Sequence, residues 1–407
     1  MHRHASPALE TPAADPALWP IDSAVVFLNH GSFGSCPRAV LDFQRTMRDR
    51  LERQPLRFLV RELEPLLDES RAAVARYVNA EPDDLVFVSN ATAGVNSVLR
   101  SLQFSPGDDL LVTDHEYNAC RNAVDFVAER AGARVIVAAV PFPVRDADQI
   151  VQSILAAVTP RTRLVLFDHV TSQTGLVMPM EHLVPALAAR GIETLVDGAH
   201  APGMVPLDLR RLGATYYTGN CHKWICSPKG AGFLHVQRAR QPSIRPLVIS
   251  HGANSPRTDR SRFQIEFGWT GTWDPSAMLS VPEALRWMGT AVPGGWTEIM
   301  RHNHALAVAA RGVLCEALGV GEPCPEEMVG SMAAMPLPDG STVAPPRSPL
   351  YLDPLQDRLL LEKSIEVPVI PWPAPPRRLL RISAQLYNSL PQYRVLAASL
   401  REFLSRS

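Results

Sequence analysis

The sequence predicts an α/β protein with a mostly parallel β-sheet, followed by a smaller α+β domain. Between Asp84 and Val236, short apolar runs alternate with helix-like stretches. Runs that are apolar on both faces and separated by helices are typical of a parallel sheet covered on both sides. After about residue 285 the alternation stops, and a long helical stretch leads into a Pro-rich loop and two further strand-like runs.

Six apolar runs and one further strand-like run, TYYTG, account for the predicted sheet. They are DLVFVS (84–89), DLLVTD (109–114), ARVIVAAV (133–140), RLVLFD (163–168), TLVD (194–197), TYYTG (215–219) and GAGFLHV (230–236). Two amphipathic helices are predicted before them, in 36–54 and 61–78, and several of the helices between them end in Gly. The predicted domains are an N-terminal extension (1–20), a large domain (21–285) and a small C-terminal domain (286–407).

Composition excludes several classes of protein. The chain has 407 residues, 46% hydrophobic and 20% charged, with a formal net charge of -1. These values are typical of a soluble globular protein and favour neither a nucleic-acid partner nor a membrane span. The N-terminus lacks an apolar signal core, which predicts a cytoplasmic protein. The six cysteines are scattered, which favours free thiols over a disulfide framework or a metal site.

Polar residues follow several of these strands, at the edge where ligands of such folds bind. SNATAGVN (89–96) opens a helix, and its free N–H groups with the Thr92 hydroxyl suit a phosphate, although simple helix capping explains the motif too. Asp197 in DGAH either caps a helix or pairs with a protonated heterocycle nitrogen. His115 and Tyr117 in DHEYNA offer ring-stacking or acid–base groups, or pack as ordinary aromatic side chains.

Lys223 in TGNCHKW (218–224) follows a strand-like run, about 26 residues after Asp197. Most lysines are solvated surface residues, but a lysine in partly apolar surroundings has a lowered pKa and can form a Schiff base. In chain order, the strand ends then supply a phosphate cradle, a ring stacker, a carboxylate and a Schiff-base lysine. This combination predicts a site for pyridoxal 5'-phosphate (PLP).

These motifs resemble the class V aminotransferase group of fold-type I PLP-dependent enzymes, in particular the isopenicillin N epimerase-like family. The resemblance runs from LNHGSFGSCPRAVL (28–41) to RISAQLYNS (381–389), and VDGAHAPG (196–203) and HKW with PKGAGFL (228–234) are its most specific motifs. It implies a fold-type I PLP-dependent transferase with a seven-stranded, mostly parallel sheet between helices. It also implies a homodimer with shared active sites.

The resemblance also implies a role for each matching residue. Lys223 would carry PLP and act as the base at Cα, Asp197 would pair with the pyridine nitrogen, and Tyr117 would stack on the ring opposite Ala199. The remaining cofactor contacts would come from Ala91, Thr92, His169, His200, Asn220, His222 and, from the neighbouring subunit, Thr272. The substrate side would be lined by Asn29 and His30, and its carboxylate bound by Arg381.

Several PLP-dependent reactions begin with removal of the proton at Cα. The predicted enzyme removes the Cα proton of an amino acid or an amino-acid derivative, through a Schiff base and a carbanion. Among the reactions that follow this step, epimerisation or racemisation is the one predicted. A C–S lyase and an aminotransferase stay open as alternatives, as does a non-catalytic PLP-fold binding protein. Cysteine desulfurases carry a nucleophilic Cys shortly before the carboxylate-binding Arg, and the stretch SIEVPVIPWPAPPRR (364–378) has none.

Three histidine or tyrosine side chains are candidates for the second acid that epimerisation needs, namely Tyr117, His30 and His115. Arg57 and Arg61 could contact a distal acidic group of the substrate, or be solvated helix charges. The sequence assigns no role to the Pro-rich loop (336–354).

Overall fold

A seven-stranded sheet forms the centre of the large domain in a computed structural model, which describes residues 7–340, 350 and 353–405. The strands of the described chain are β1 (Val26–Phe27), β2 (Leu85–Val88), β3 (Asp109–Thr113), β4 (Arg134–Ala138), β5 (Thr162–Asp168), β6 (Glu193–Gly198), β7 (Tyr216–Asn220), β8 (Gly232–Val236), β9 (Met332–Leu337), β10 (Ile365–Glu366), β11 (Val369–Pro371) and β12 (Arg378–Ser383).

The order of strands in the large sheet is β2-β8-β7-β6-β5-β3-β4. Strands β7, β6, β5, β3 and β4 pair in parallel, whereas β8 pairs antiparallel with both of its neighbours. Only β8 therefore runs against the others, which confirms the predicted mostly parallel seven-stranded sheet. All seven predicted runs are strands of this sheet.

Helices cover both faces of the sheet, as predicted. The α-helices are α1 (His30–Phe33), α2 (Arg38–Arg53), α3 (Pro55–Arg57), α4 (Leu63–Tyr77), α5 (Ala91–Ser101), α6 (Asn118–Ala131), α7 (Ala147–Ala156), α8 (Met180–Ala188), α9 (Leu209–Leu212), α10 (Arg262–Gly268), α11 (Ser276–Leu279), α12 (Val281–Met288), α13 (Gly295–Leu318), α14 (Pro354–Lys363) and α15 (Leu390–Leu404). Helices α5, α6 and α10 pack on one face, and α4, α7 and α8 on the other.

The smaller C-terminal unit contains a three-stranded antiparallel sheet in the order β11-β12-β9, with α13 and α15 packed together beside it. This unit confirms the predicted α+β architecture after the large sheet. The Pro-rich loop falls mostly outside the described residues, since 341–349 and 351–352 are not among them.

The N-terminal segment packs against the C-terminal unit, which the sequence did not predict. Strand β1 pairs in parallel with β10, and the Leu28 carbonyl accepts a hydrogen bond from the Ser383 N–H at 2.9 Å. Trp19 is fully buried, with its ring 5.2 Å from that of Tyr387. Residues shortly after β1 are thereby held beside β12, and this pairing positions one side of the site described next. The division of the chain at residues 20 and 285 stays a prediction.

Among the described residues, no helix combines the length and the apolar composition needed to cross a bilayer.

Candidate active site

Polar segments converge at the edge of the sheet where the parallel strands end, as predicted. They follow strands β2, β3, β5, β6 and β7, and together with α1 they enclose one pocket. The predicted residues that line it are Ala91, Thr92, Tyr117, Asp197, Ala199, His200, Asn220, His222 and Lys223. The structure therefore brings together the four strand-end motifs that the sequence singled out separately.

Helix α5 begins at this edge, and two asparagines cap its first turn. The Asn90 side chain accepts a hydrogen bond from the Ala93 N–H at 2.9 Å, and Asn220 Oδ1 accepts one from the Ala91 N–H at 2.8 Å. The Ala91 N–H and the side-chain oxygen of Asn220 are thus hydrogen-bonded to each other. Thr92 lies on the pocket wall in this turn, where the positive end of the helix dipole favours an anion.

Asp197 lies at the base of the pocket and is almost completely buried. Its Oδ2 accepts a hydrogen bond from the Cys120 thiol at 3.1 Å, and its Oδ1 accepts one from the Ala199 N–H at 2.9 Å. Burial raises the pKa of this carboxyl, while the Cys120 and Ala199 hydrogen bonds and the charge of Lys223 lower it. The Cys120 thiol and the Ala199 N–H thus hold the Asp197 side chain in place and favour its charged form, which can pair with a cation in the pocket.

The Lys223 amine lies 3.0 Å from His200 Nε2. His200 Nδ1 lies 3.5 Å from the indole nitrogen of Trp224, whose N–H donates to it. Burial and the nearby Lys223 charge hold the pKa of His200 well below its usual range. Burial and the charge of Arg381 lower the pKa of Lys223 to about 8, which makes its neutral, nucleophilic form accessible near neutral pH.

Arg381, on β12, is buried with its guanidinium group directed at residues of the pocket wall. One terminal nitrogen donates to the Ser172 carbonyl at 2.5 Å, and the other donates to Ser32 Oγ at 2.8 Å and Asn29 Oδ1 at 3.4 Å. Burial lowers the pKa of Arg381 to about 10, so it stays charged at neutral pH. Only uncharged groups hold the planar guanidinium group in place. Its positive charge is therefore not neutralised by them and can attract an anionic ligand.

His30 lies behind Lys223 and does not line the pocket. Its ring contacts the Tyr387 hydroxyl at 2.7 Å through Nδ1 and the Lys223 carbonyl at 3.0 Å through Nε2. Burial lowers its pKa to about 3, so it is neutral. Since both ring nitrogens are occupied inside the protein, His30 is placed to anchor the Lys223 backbone rather than to protonate a substrate.

The turn after His30 requires glycine at position 34. Gly34 has φ +71°, and a Cβ there would lie 2.2 Å from the His222 carbonyl oxygen. The NHGSFG segment therefore runs directly against the backbone of His222 and Lys223 while its Ser32 and Asn29 hold Arg381. One short segment fixes the relative positions of the lysine and the arginine.

The alternation of side chains along a strand decides which residue at the end of β5 faces the pocket. His169 lies on the opposite face of the sheet, where its Nδ1 contacts the Tyr217 hydroxyl at 3.0 Å, and it does not line the pocket. Asp168, one residue earlier, does line it. His169 is therefore not part of the pocket wall, and we do not include its predicted contact with the cofactor or the substrate in the site that we propose below.

Tyr117 and His115 are only two residues apart but have different surroundings. Tyr117 lines the pocket and is 37% exposed, whereas His115 is buried with its ring nitrogens 2.8 Å from Thr174 Oγ1 and 2.9 Å from the Val140 carbonyl. Of the three candidates for a second acid, Tyr117 is the one in the pocket.

Three further predicted residues, besides His30, His115 and His169, do not line the pocket of this single chain. Thr272 is exposed and does not line it, which is compatible with its expected role towards a neighbouring subunit. Arg57 is exposed and forms an ion pair with Glu62 at 2.7 Å, and Arg61 is also exposed. The single chain therefore provides no contact between these two arginines and a substrate in the pocket.

Sequence reasoning missed five residues around the site, namely Ser32, Glu116, Cys120, Asp168 and Ser172. Glu116 and Asp168 stand next to residues that were singled out, and strand alternation was the signal that could have found Asp168. The contacts of Ser32 and Cys120 depend on distant chain segments and had no local signal.

The chemistry of the pocket fits PLP. A lysine amine of lowered pKa, a buried carboxylate and a helix N-terminus carrying Thr92 face one cavity, and these groups suit an aldehyde, a pyridine nitrogen and a phosphate. Lys223, Asp197 and the first turn of α5 would hold the three parts. The fold and this pocket define a fold-type I PLP-dependent enzyme.

The class-V aminotransferase family profile matches residues 53–332. The chain is 37% identical to isopenicillin N epimerase of Amycolatopsis lactamdurans, over 94% of this chain and 96% of that protein. It is 33% identical to a probable chloroplastic L-cysteine desulfhydrase of Arabidopsis thaliana, over 90% of this chain and 80% of that protein. A solved complex of the cystine C–S lyase C-DES with its product cysteine persulfide matches in fold, with a TM-score of 0.76 and 22% identity over 93% and 98% of the two chains.

The chain belongs to the class-V aminotransferase family, whose members depend on PLP. This confirms the predicted resemblance, the fold class and the cofactor.

Proposed function

We propose that this protein is a PLP-dependent enzyme that removes the Cα proton of an amino acid or an amino-acid derivative, and that its reaction is epimerisation. The observation that carries the proposal is that Lys223 and Asp197 face one pocket, while the guanidinium group of Arg381 is bonded to Ser32 and Ser172 of the pocket wall. Their charges act on one another, since both Arg381 and Asp197 shift the pKa of Lys223. A binding protein without turnover requires no such combination of amine, carboxylate and carboxylate-binding arginine.

Each side chain has a defined task in this reaction. When bound, the cofactor supplies an electron sink that stabilises negative charge at Cα. Asp197 keeps the ring nitrogen protonated, and Arg381 binds the substrate carboxylate and so orients the Cα–H bond. Lys223 would be the base on its own side of Cα, and His200 lies within hydrogen-bond distance of its amine.

Tyr117 is our candidate for the acid on the opposite side. It lies in the pocket close enough to Arg381 to affect the pKa of that arginine, whereas His30 and His115 have both ring nitrogens occupied elsewhere. If Lys223 keeps the proton that it removes and the Tyr117 phenol donates its own proton to the opposite face, the configuration at Cα is inverted. The 37% identity to an isopenicillin N epimerase supports this assignment.

C–S lysis is the second candidate, because the chain is also 33% identical to a probable L-cysteine desulfhydrase. In that reaction Tyr117 would protonate the leaving thiolate instead of Cα. A desulfurase with a persulfide-forming cysteine is disfavoured, since all six cysteines of the chain are buried. Burial raises the pKa of Cys221 and Cys36 to about 12, which opposes formation of a thiolate.

Incubation with amino acids in deuterated water separates the two reactions. The panel includes cysteine and amino acids with long acidic side chains, and products are analysed by chiral chromatography and NMR. Deuterium at Cα together with loss of configuration establishes epimerisation. Pyruvate and sulfide formed from cysteine, without inversion of any substrate, would instead establish lysis and refute the epimerase proposal.

The rate at which apoprotein binds PLP covalently is expected to rise with pH around a midpoint of about 8, because only the neutral Lys223 amine attacks an aldehyde. At two pH units below the midpoint the rate should be about one hundredth of its plateau. Stopped-flow absorbance measures this profile. Arg381→Gln removes a nearby positive charge and should move the midpoint upwards, whereas a wild-type midpoint near 10.5 would show an unperturbed amine.

We also propose that the enzyme works in the cytoplasm as a homodimer with shared active sites. The exposed position of Thr272, outside the pocket of its own chain, supports the dimer. Mixing an inactive Lys223→Ala chain with an inactive chain altered at Thr272 tests it. Recovery of activity in the mixed dimer is expected, and a monomer in light scattering would refute the shared site.

A further inference from the structure

Three carboxyl groups lie buried together at the base of the pocket. Glu116, Asp168 and Asp197 are 6%, 3% and 1% exposed. Asp168 and Asp197 are register neighbours on the parallel strands β5 and β6. A Glu116 oxygen, the Cys120 sulfur and an Asp197 oxygen all lie within 4.8 Å of one another. Three acids so close together and so well buried cannot all be ionised without compensation.

The hydrogen bonds distinguish one of the three. Asp197 accepts hydrogen bonds from a thiol and from a backbone N–H, as an ionised carboxylate requires. In contrast, both oxygens of Glu116 and Oδ2 of Asp168 accept no hydrogen bond of normal geometry among the described residues, and the Tyr117 N–H near both carboxyl groups does not outweigh their burial. A buried carboxylate so poorly supplied with donors costs several kcal/mol, and such a group takes up a proton instead.

The charges around the cluster do not compensate three acids. On α6, Arg121 is partly exposed and bonded to Asp125 at 3.0 Å, and burial raises the pKa of the Cys120 thiol well above its usual range, so this thiol is neutral. Across the pocket, burial lowers the pKa of His200 and of His222, so both are neutral at pH 7. Lys223 is the cation whose charge acts on Asp168 and Asp197, whereas Arg381 is bonded to Ser32 and Ser172, and Lys229 to the Gly34 carbonyl. Burial, with the neighbouring acids, raises the pKa of Glu116 and Asp168 well above their usual range.

We propose that Glu116 and Asp168 are uncharged acids, so that this acid cluster carries a single negative charge, located on Asp197. The functional meaning rests on the proposed function, because one carboxylate matches one protonated ring nitrogen. Two further charges would overcompensate that nitrogen and repel the phosphate-bearing cofactor. Glu116 and Asp168 are therefore positioning residues, which act through Asp197 without touching the reacting Cα.

Infrared difference spectra of the apoprotein at pH 8 test the proposal without cofactor or substrate. Wild type should show the absorption of protonated carboxyl groups, and Glu116→Gln and Asp168→Asn should each remove part of it. Glu129→Gln is the matched control, because Glu129 is an exposed glutamate on α6, the helix that follows Glu116. Spectra unchanged by the first two variants would show ionised acids and refute the proposal, whatever reaction the enzyme catalyses.

Unfolding of the same apoproteins provides a second readout. A carboxyl with a raised pKa holds its proton in the folded state above pH 4.3, so folding stability falls as pH rises towards the folded-state pKa. Glu116→Gln cannot lose this proton and should gain stability relative to wild type between pH 5 and pH 9. If zinc at pH 8 stabilises wild type but not Glu116→Gln, the acids are ionised and bind a cation, which overturns the proposal.

PLP affinity links the cluster to the site. Glu116→Gln and Asp168→Asn mimic protonated acids, so the dissociation constant of PLP should stay within about threefold of wild type, a difference of less than about 1 kcal/mol. Asp197→Asn removes the charge itself and should weaken binding by more than about tenfold. Equal losses in all three variants would contradict a single charge on Asp197.

Discussion

Lys223→Ala is expected to abolish the visible absorption of lysine-bound PLP and to lower kcat/KM by about a thousandfold or more, since it removes both the covalent attachment and the base at Cα. The chain has only three lysines, Lys223, Lys229 and Lys363. Borohydride reduction of the holoenzyme followed by peptide mass analysis should therefore place the cofactor on one of three distinguishable peptides.

Two comparisons make this expectation specific. Lys363→Ala is the matched control, because Lys363 pairs with Glu402 at 2.7 Å and does not line the pocket. It should keep both the absorption and the activity. A reduced adduct on Lys229, or a Lys223→Ala protein that retains the absorption, would refute the assignment of Lys223.

Arg381→Ala is expected to lower kcat/KM for amino-acid substrates by about 10²- to 10³-fold, with most of the loss in KM. The reason is that the bound substrate carboxylate would lose its bidentate partner in a buried site, a change that costs about 3–4 kcal/mol. Steady-state kinetics measures the loss. Arg381→Lys keeps the charge without the planar fork and should fall between wild type and alanine.

An amide substrate isolates the carboxylate contact from any damage to the fold. Wild type should act slowly on the amide of its amino-acid substrate, and Arg381→Ala should act on that amide no more slowly than wild type does. An equal loss on acid and amide would show that Arg381 supports the structure through Ser32 and Ser172 rather than by binding substrate. The absorption of bound PLP reports whether the variant site is intact.

The charge of the acid cluster also affects cofactor binding, because it acts on Lys223. Lys223 and Arg381 are the buried cations of the site, and Asp197 is the carboxylate that balances them. If Glu116 and Asp168 were ionised, the pKa of Lys223 would be raised and less neutral amine would be available. The pH profile of PLP binding therefore also responds to the charge of the cluster.

Local patterns in the sequence predicted most of the fold and the centre of the site. Apolar runs and Gly-ended helices determine the mostly parallel sheet, and such a sheet places its strand ends at one edge, so Thr92, Tyr117, Asp197 and Lys223 had to converge. The resemblance then added Arg381, whose position in a different domain no local pattern indicates.

Only the tertiary structure decided which neighbours of these residues face the pocket. Asp168 faces it while His169 does not, because successive side chains of a strand point to opposite faces and the buried face depends on packing. His30 anchors the Lys223 carbonyl because β1 pairs with β10, a contact between residues more than 300 positions apart. The sequence by itself determined the chemical groups of the site and the edge at which they meet. Long-range packing decided their orientation, their desolvation and hence their charge.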